Sequence, residues 1–374
     1  MSRIFLIVLD SLGIGNAHDA KMFGDLNSNT LKSLQSTGKL KIPNLKRLGL
    51  LNINGVGGEK EAEPIGKYCN LVEKSVSKDT ITGHWEMMGV VSTKPTPTFP
   101  YGFPTEFIKE FSKRINRGVL CNRPYSGTNV ITDFGEKHLE TGDVIVYTSA
   151  DSVFQVAAHI DKVPLEELYE ICKVAREMLQ GDLAVSRVIA RPFTGKAPNF
   201  ERCLESRHDY GLIPPKNTMN DIQQAGKKVI AVGKIGDIFS GSGITESYRN
   251  KGNAENLKQT IKIVKDEAFD NGLCFVNLVD FDMIYGHRRN VEGYTECLNN
   301  FDKWLGEEMI PCLKSDDVLM ITADHGCDPL YSGTDHTRET VPLLIYGKNI
   351  EPENLGTIYG FDYVSTVIKK YENL

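Results

Sequence analysis

Residues 4–11 read IFLIVLDS: six apolar residues in succession, closed by Asp10 and Ser11. A run that is apolar on consecutive positions, instead of on alternate ones, marks a strand covered on both faces. Short β-branched and apolar runs recur at 144–147, 187–190, 229–232, 273–279 and 318–321. Helical stretches lie between them. Residues 165–179 carry Leu165, Leu168, Tyr169, Cys172 and Ala175 at helical spacing, and 254–265 is a second such stretch. Strand and helix in alternation predict an α/β fold with a mostly parallel, helix-covered sheet.

The chain has 374 residues, which at ~150 residues per domain predicts about two domains. Hydrophobic residues are 40% and charged residues 25%, so disorder, collagen and coiled coil are excluded. A net charge of −6 and a pI of about 5.8 disfavour a nucleic-acid binder. The early apolar run is six residues long, short of the ~20 that a membrane span needs and of the ~7–15 of a signal peptide core. The eight cysteines are scattered and form no C-x-x-C pair, which argues for reduced thiols and a cytoplasmic location. The stretch TKPTPTFPYGFP (93–104) carries four prolines, and it and residues 211–215 are the candidate domain boundaries.

Three of the strands end alike. Residues 4–9 run into Asp10-Ser11, 273–279 into Asp280-Phe281-Asp282 and then Gly286-His287, and 318–321 into Thr322-Ala323-Asp324-His325-Gly326. A fourth piece, Gly333-Thr334-Asp335-His336-Thr337, precedes the apolar run 341–346. Functional groups of open α/β sheets gather beyond the carboxyl ends of the strands, so these residues can meet across large sequence distances. Asp10, Asp282, His287, Asp324, His325 and His336 supply six O/N ligands and no thiolate. Two divalent ions with three protein ligands each suit that charge better than one. Mn²⁺, Zn²⁺ and Fe²⁺ all accept such ligands. Five residues separate Asp282 from His287, ~140° around an α-helix, which predicts a loop there. Singly, each Asp reads as a turn or cap residue and each His as a surface or hydrogen-bonded one; the joint pattern carries the metal reading. His18, His138, His159 and His208 keep the bland reading.

A two-metal site needs a nucleophile. The stretch KDTITGHWE (78–86) is polar and then turns helical, so the hydroxyl of Thr80 or Thr82 stands at a helix start. A metal lowers the pKa of a coordinated hydroxyl. The competing reading is a Thr that caps the helix. Between 187 and 207 five basic residues face two acidic ones, an excess of +3 in a chain of net −6. Arginine forks suit phosphate oxygens, although a solvated basic face has the same composition.

These pieces resemble the phosphopentomutase family of the alkaline phosphatase superfamily. The matching motifs are FLIVLDSLGIG (5–15), KDTITGHWEMMG (78–89), YTSADSVFQVAAH (147–159), RVIARPF (187–193), NLVDFDMIYGHRR (277–289) and TADHGCDPLYSGTDHTRETVPLL (322–344), which span almost the whole chain. The resemblance implies an alkaline-phosphatase-like core with a central, mostly parallel sheet flanked by helices, plus a smaller inserted α/β cap domain. It implies Thr80 as the nucleophile, carried as phosphothreonine. It assigns Asp282, His287 and His336 to one metal and Asp10, Asp324 and His325 to the other, with manganese the usual ion. Ser149, Asp151, Val153, Arg187, Ile189, Arg191, Arg202 and Lys234 match the family's substrate contacts. The implied reaction interconverts ribose 1-phosphate and ribose 5-phosphate, and the deoxyribose pair, through a 1,5-bisphosphate. A pentose or hexose bisphosphate primes the phosphoenzyme. Cys327 departs from the Asn common after Asp-His-Gly; it flanks the ligands without being counted among them.

Asp10 and His336 must share one site, so the core is expected to be discontinuous, 1–96 and 212–374, with 97–211 inserted as the substrate-binding cap. Rival readings are a phosphatase, or a metal-dependent phosphoglycerate mutase with its usual Ser nucleophile. A catalytically dead module predicts lost ligands, yet all six are present. A dinucleotide fold is suggested by Gly13-Ile14-Gly15 but fails at position 18, which is His. Pentose phosphates are the expected partners, nucleic acid and membrane are not, and a monomer is favoured.

Overall fold

The computed structural model describes residues 2–149 and 151–374. They divide into two units, Met1–Lys94 with Pro214–Leu374, and Pro95–Ile213. No helix among the described residues is long and apolar enough to cross a membrane.

The first unit is built on an eight-stranded sheet. Across it the order is Glu246–Tyr248, Lys228–Val232, Gly272–Leu278, Arg3–Leu9, Val318–Thr322, Val341–Tyr346, Lys67–Val72 and Glu353–Tyr359. Among the described residues, Val341–Tyr346 alone runs antiparallel to its sheet neighbours. The consecutive apolar runs are the central strands: every residue of Arg3–Leu9, Gly272–Leu278 and Val318–Thr322 is buried. These three lie side by side and parallel, with Leu9 opposite Leu278 and Val8 opposite Thr322. Their carboxyl ends therefore finish level, which is what brings Asp10, Asp282 and Asp324 to one edge. Lys67–Val72 and Glu353–Tyr359 lie at one side of the sheet and keep exposed or half-buried residues. They lack the apolar run that made the central strands legible.

The second unit has a six-stranded sheet. Val119–Pro124, Val144–Thr148, Val153–His159, Arg187–Lys196 and Asn199–Arg202 follow in order, and His208–Gly211 also pairs with Arg187–Lys196. Strand side chains alternate between faces. Val144, Val146, Phe154, Val156, Val188 and Ala190 pack on one face with Phe103, Phe107 and Phe111 of the Thr105–Ile115 region and with Leu168, Ile171 and Cys172 of helix Leu165–Met178. Ile145, Tyr147, Ala157 and Phe193 pack on the other with Val130 and Ile131 of helix Asn129–Thr141. Phe154 is fully buried and meets Phe103, Phe107 and Phe111 edge-on at 4.8–5.7 Å between ring centroids. Phe154→Ala should cost this unit about 3–5 kcal/mol, read as a lower midpoint in denaturant unfolding; an unchanged midpoint would contradict a single aromatic core here.

Candidate metal centre and anion pocket

Asp10 leaves its strand into a tight turn. Ser11 follows at a φ of 73°, a left-handed conformation costly for a side-chain-bearing residue. The turn is held by what it does: the Ser11 N–H donates to Asp324 Oδ1 at 3.0 Å, and Ser11 Oγ meets the Tyr294 hydroxyl at 3.1 Å. Asp282 and His287 come together in a way that α-helical spacing excluded and for which a loop was expected. Residues Phe281–Gly286 form a π-helical turn, and the His287 N–H donates to the Asp282 carbonyl at 3.1 Å. The i→i+5 bond of that turn sets two residues five apart one above the other.

The six residues converge. His325 Nε2 lies 3.2 Å from Asp324 Oδ2 and 3.5 Å from Asp10 Oδ1. His287 Nε2 and His336 Nε2 lie 3.2 and 3.5 Å from the Asp282 oxygens, and 3.1 Å from each other. The His325 and His336 rings stack at 3.8 Å. Each imidazole turns Nδ1 to a backbone carbonyl: Thr334 for His287, Gly326 for His325 and Lys78 for His336. A ring held by a backbone carbonyl at Nδ1 turns its Nε2 inward. Asp10 Oδ1, Asp282 Oδ1 and Asp324 Oδ2 are buried and receive no hydrogen bond among the described residues. Orphaned carboxylate oxygens and inward Nε2 atoms, packed this closely, fit a cation.

The charges confirm the strain. Burial, then repulsion from Asp324 and Asp282, pushes the Asp10 carboxyl well above its ordinary range. Burial would raise Asp324 too, but His325 and His84 hold it far below. Burial opposes charge on His325, yet Asp324, Asp282 and Asp10 push it up to about 10. Burial and the neighbouring His325 lower His336.

Thr80 opens helix Thr80–Met87. The cap is Asp79, whose side chain accepts from Ile81 N and Thr82 N, so neither threonine is the capping residue. Thr80 Oγ1 lies 3.2 Å from His325 Nε2, whereas the Thr82 hydroxyl donates back to the Asp79 carbonyl. Gly83 lets the helix sit against the metal-ligand loop, since a Cβ there would stand 2.3 Å from the Asp324 carbonyl oxygen. Two buried residues escaped sequence reasoning. Asn277 Nδ2 donates to Asp10 Oδ2 at 2.9 Å and reaches His84 Nε2 at 3.2 Å, while His84 Nδ1 lies 2.8 Å from the Thr80 carbonyl oxygen. A lone amide inside the apolar strand Gly272–Leu278 was the available signal for Asn277. Cys327, which the sequence placed beside the candidate ligands without counting it among them, comes close as well: its Sγ lies within 4.8 Å of a carboxylate oxygen of Asp282 and a ring nitrogen of His287. Burial, reinforced by Asp282 and Glu339, pushes its thiol up.

In the second unit, Ser149, Asp151, Val153, Arg187, Ile189, Arg191 and Arg202 line one pocket of about 430 Å³, together with Tyr125, Ser126, Gly127, Gln155 and Arg207. Alternation explains the floor: Arg187, Ile189 and Arg191 share a face with Val153 and Gln155, opposite the face of Val188 and Ala190. Arg191 Nε donates to Gln155 Oε1 at 3.0 Å. Asp209 pairs with both Arg207 and Arg187, at 2.6 and 3.6 Å. Burial, with Arg207 and Arg202 nearby, lowers the Arg191 guanidinium. Four arginines in one concavity suit an anion with several oxygens. Lys234 does not line this pocket; it is an exposed residue of the first unit, where its charge acts on Asp10.

The fold and this cluster define a metal-dependent enzyme, and the family model of the Metalloenzyme superfamily matches residues 2–370. The phosphopentomutase of Lachnoclostridium phytofermentans is 51% identical over 378 residues, covering 100% of this chain and 96% of that protein. That of Caldanaerobacter subterraneus subsp. tengcongensis is 50% identical over 380 residues, with 100% and 95% coverage. The chain belongs to the phosphopentomutase family. Among solved structures, the PH0037 protein of Pyrococcus horikoshii shares the fold at a TM-score of 0.50 and 16% identity, covering 100% of this chain and 97% of that one.

The protonation pattern has a measurable sign. His325 keeps its proton up to about pH 10 in the cation-free cluster. A divalent ion binding at neutral pH must expel it, so roughly one proton or more should be released per chain, and apparent affinity should rise with pH. Titration in weak buffer with a pH indicator reads this; binding with no proton release would contradict it.

Proposed function

We propose that the protein is a phosphopentomutase that interconverts the 1- and 5-phosphates of ribose and 2-deoxyribose, so linking nucleoside catabolism to pentose phosphate metabolism. The observation that carries the reading is the buried Thr80 hydroxyl, 3.2 Å from His325 Nε2 at the edge of the carboxylate–imidazole cluster. Asp282, His287 and His336 would hold one divalent ion, and Asp10, Asp324 and His325 the other, with Mn²⁺ the favoured pair. Bound there, such ions would neutralise phosphoryl oxygens and favour the alkoxide of a hydroxyl nucleophile.

The chain's own residues do the rest. Phospho-Thr80 donates its phosphoryl group: the bond from phosphorus to Thr80 Oγ1 breaks as a bond to a sugar hydroxyl oxygen forms, and the proton of that hydroxyl is transferred, directly or through solvent, to the freed Thr80 Oγ1. The product is a pentose 1,5-bisphosphate. Its other phosphoryl group returns to Thr80 Oγ1, which restores the phosphothreonine and leaves the isomeric monophosphate. A pentose or hexose bisphosphate supplies the first phosphoryl group. The inserted unit, in this reading 97–211, binds the sugar phosphate through Ser149, Asp151, Val153, Arg187, Ile189, Arg191 and Arg202. Lys234, in the other unit, adds a cation beside Asp10. The eight free thiols fit a cytoplasmic enzyme, and we take it to act as a monomer.

The decisive assay supplies Mn²⁺, ribose 5-phosphate and a trace of sugar bisphosphate. Ribose 1-phosphate should accumulate to equilibrium, whereas stoichiometric inorganic phosphate without isomerisation would make the protein a phosphatase. Thr80→Ala should abolish turnover and retain the metal content of the parent; full activity would remove Thr80 as the nucleophile. Arg202→Ala should raise KM about 10–100-fold, the worth of a charge-assisted hydrogen bond, with a smaller change in kcat. Unchanged KM and kcat would take Arg202 out of the site.

A further inference from the structure

The Asp282 side of the cluster contains a donor that the three-ligand reading leaves idle. Cys327 is 2% exposed, and its Sγ, one Asp282 oxygen and one His287 nitrogen lie within 4.8 Å of one another. His336 Nε2 lies next to the Asp282–His287 pair, 3.1 Å from His287 Nε2 and 3.5 Å from Asp282 Oδ1, and also groups with Asp282 and His325. Asp282 Oδ1 is itself buried and receives no hydrogen bond among the described residues. The fold holds the sulfur in place. The Cys327 N–H donates to Thr30 Oγ1 at 3.2 Å, and the loop is tied by bonds in both directions between Gly326 and Thr337. Gly286 gives the thiol its room, since a Cβ at that position would stand 2.9 Å from Sγ. Sγ donates a long hydrogen bond, 3.7 Å, to the Asp335 carbonyl.

A thiolate bonds zinc at about 2.3 Å and an imidazole at about 2.0–2.1 Å, which puts S and N roughly 3.6 Å apart on one tetrahedral ion. The three donor atoms, within 4.8 Å of one another, would close to that spacing by a shift of about an ångström. We propose that Cys327 is a fourth, selective ligand at the Asp282–His287–His336 position. Borderline-soft ions of the zinc class bind through its sulfur, whereas manganese is held by the carboxylate and imidazoles alone. Sulfur is a soft donor and manganese prefers oxygen and nitrogen. On coordination the S–H bond breaks, the proton leaves to solvent and a sulfur–metal bond forms. Four protein ligands then enclose the ion, the arrangement of a closed site, while three leave a position open for a phosphoryl oxygen. Cys327 thus separates an open manganese form from a closed zinc form.

The inference rests on the reading that Asp282, His287 and His336 hold an ion, and cobalt separates the two ideas. The full chain loaded with Co²⁺ should show ligand-field bands in the visible and a sulfur-to-cobalt charge-transfer band in the near ultraviolet. Cys327→Ser and Cys327→Ala should keep the first and lose the second. Their Zn²⁺ affinity, measured against a chromophoric chelator, should fall about 10–100-fold, and their Mn²⁺ affinity should stay within about twofold of the parent's. Ligand-field bands without a sulfur band in the parent, or equal Zn²⁺ affinity in parent and variants, would overturn the role of Cys327 and leave the three-ligand reading standing. Absence of cobalt binding altogether would overturn both.

Discussion

Three buried carboxylates within a few ångströms of one another are the constraint on which the rest of this structure turns. Asp10, Asp282 and Asp324 stand at or just beyond the level ends of adjacent parallel strands, and each keeps an oxygen with no hydrogen-bond donor among the described residues. Burial of like charges is costly unless cations or protons intervene. Burial and the neighbouring carboxylates push Asp10 up, and the carboxylates push His325 up to about 10. The surrounding polar shell is directed at the same oxygens. Ser11 N–H steers Asp324, Asn277 steers Asp10, and three backbone carbonyls fix the imidazoles by their Nδ1 atoms. Such a shell costs stability, and it makes sense only around a group that must be oriented.

The two units divide the chemistry by charge. The first concentrates carboxylates and imidazoles. The second opposes a net acidic chain with a pocket of four arginines set on alternate positions of one strand and the segments beside it. Asp209 holds Arg207 and Arg187 in place, and Gln155 holds Arg191. Preorganised guanidinium groups lose less on binding an anion than flexible ones, because their orientation is already fixed.

Much of this was legible along the chain. The central strands announced themselves because a strand buried on both faces is mostly apolar, and the residue that ends such a run is conspicuous. Strands nearer solvent, such as Lys67–Val72 and Glu353–Tyr359, were silent for the converse reason: half-exposed positions tolerate any residue. The π-turn at Phe281–Gly286 was also silent, since its five-residue spacing is out of phase with the helix that pattern analysis assumes. His84 and Asn277 were missed because a residue that steers a functional group carries no spacing of its own.

The sequence by itself determined the fold class, the ligand types and the strand ends that bear them, because burial and chemistry are written in residue identity and local order. Which ends meet, which threonine faces His325, and that Cys327 stands beside Asp282 were decided only in three dimensions. Those facts depend on strand order, on the helix cap at Asp79 and on the missing Cβ of Gly286, in whose place Cys327 Sγ packs. Each is a property of contacts between residues far apart in the chain, and no local pattern encodes it.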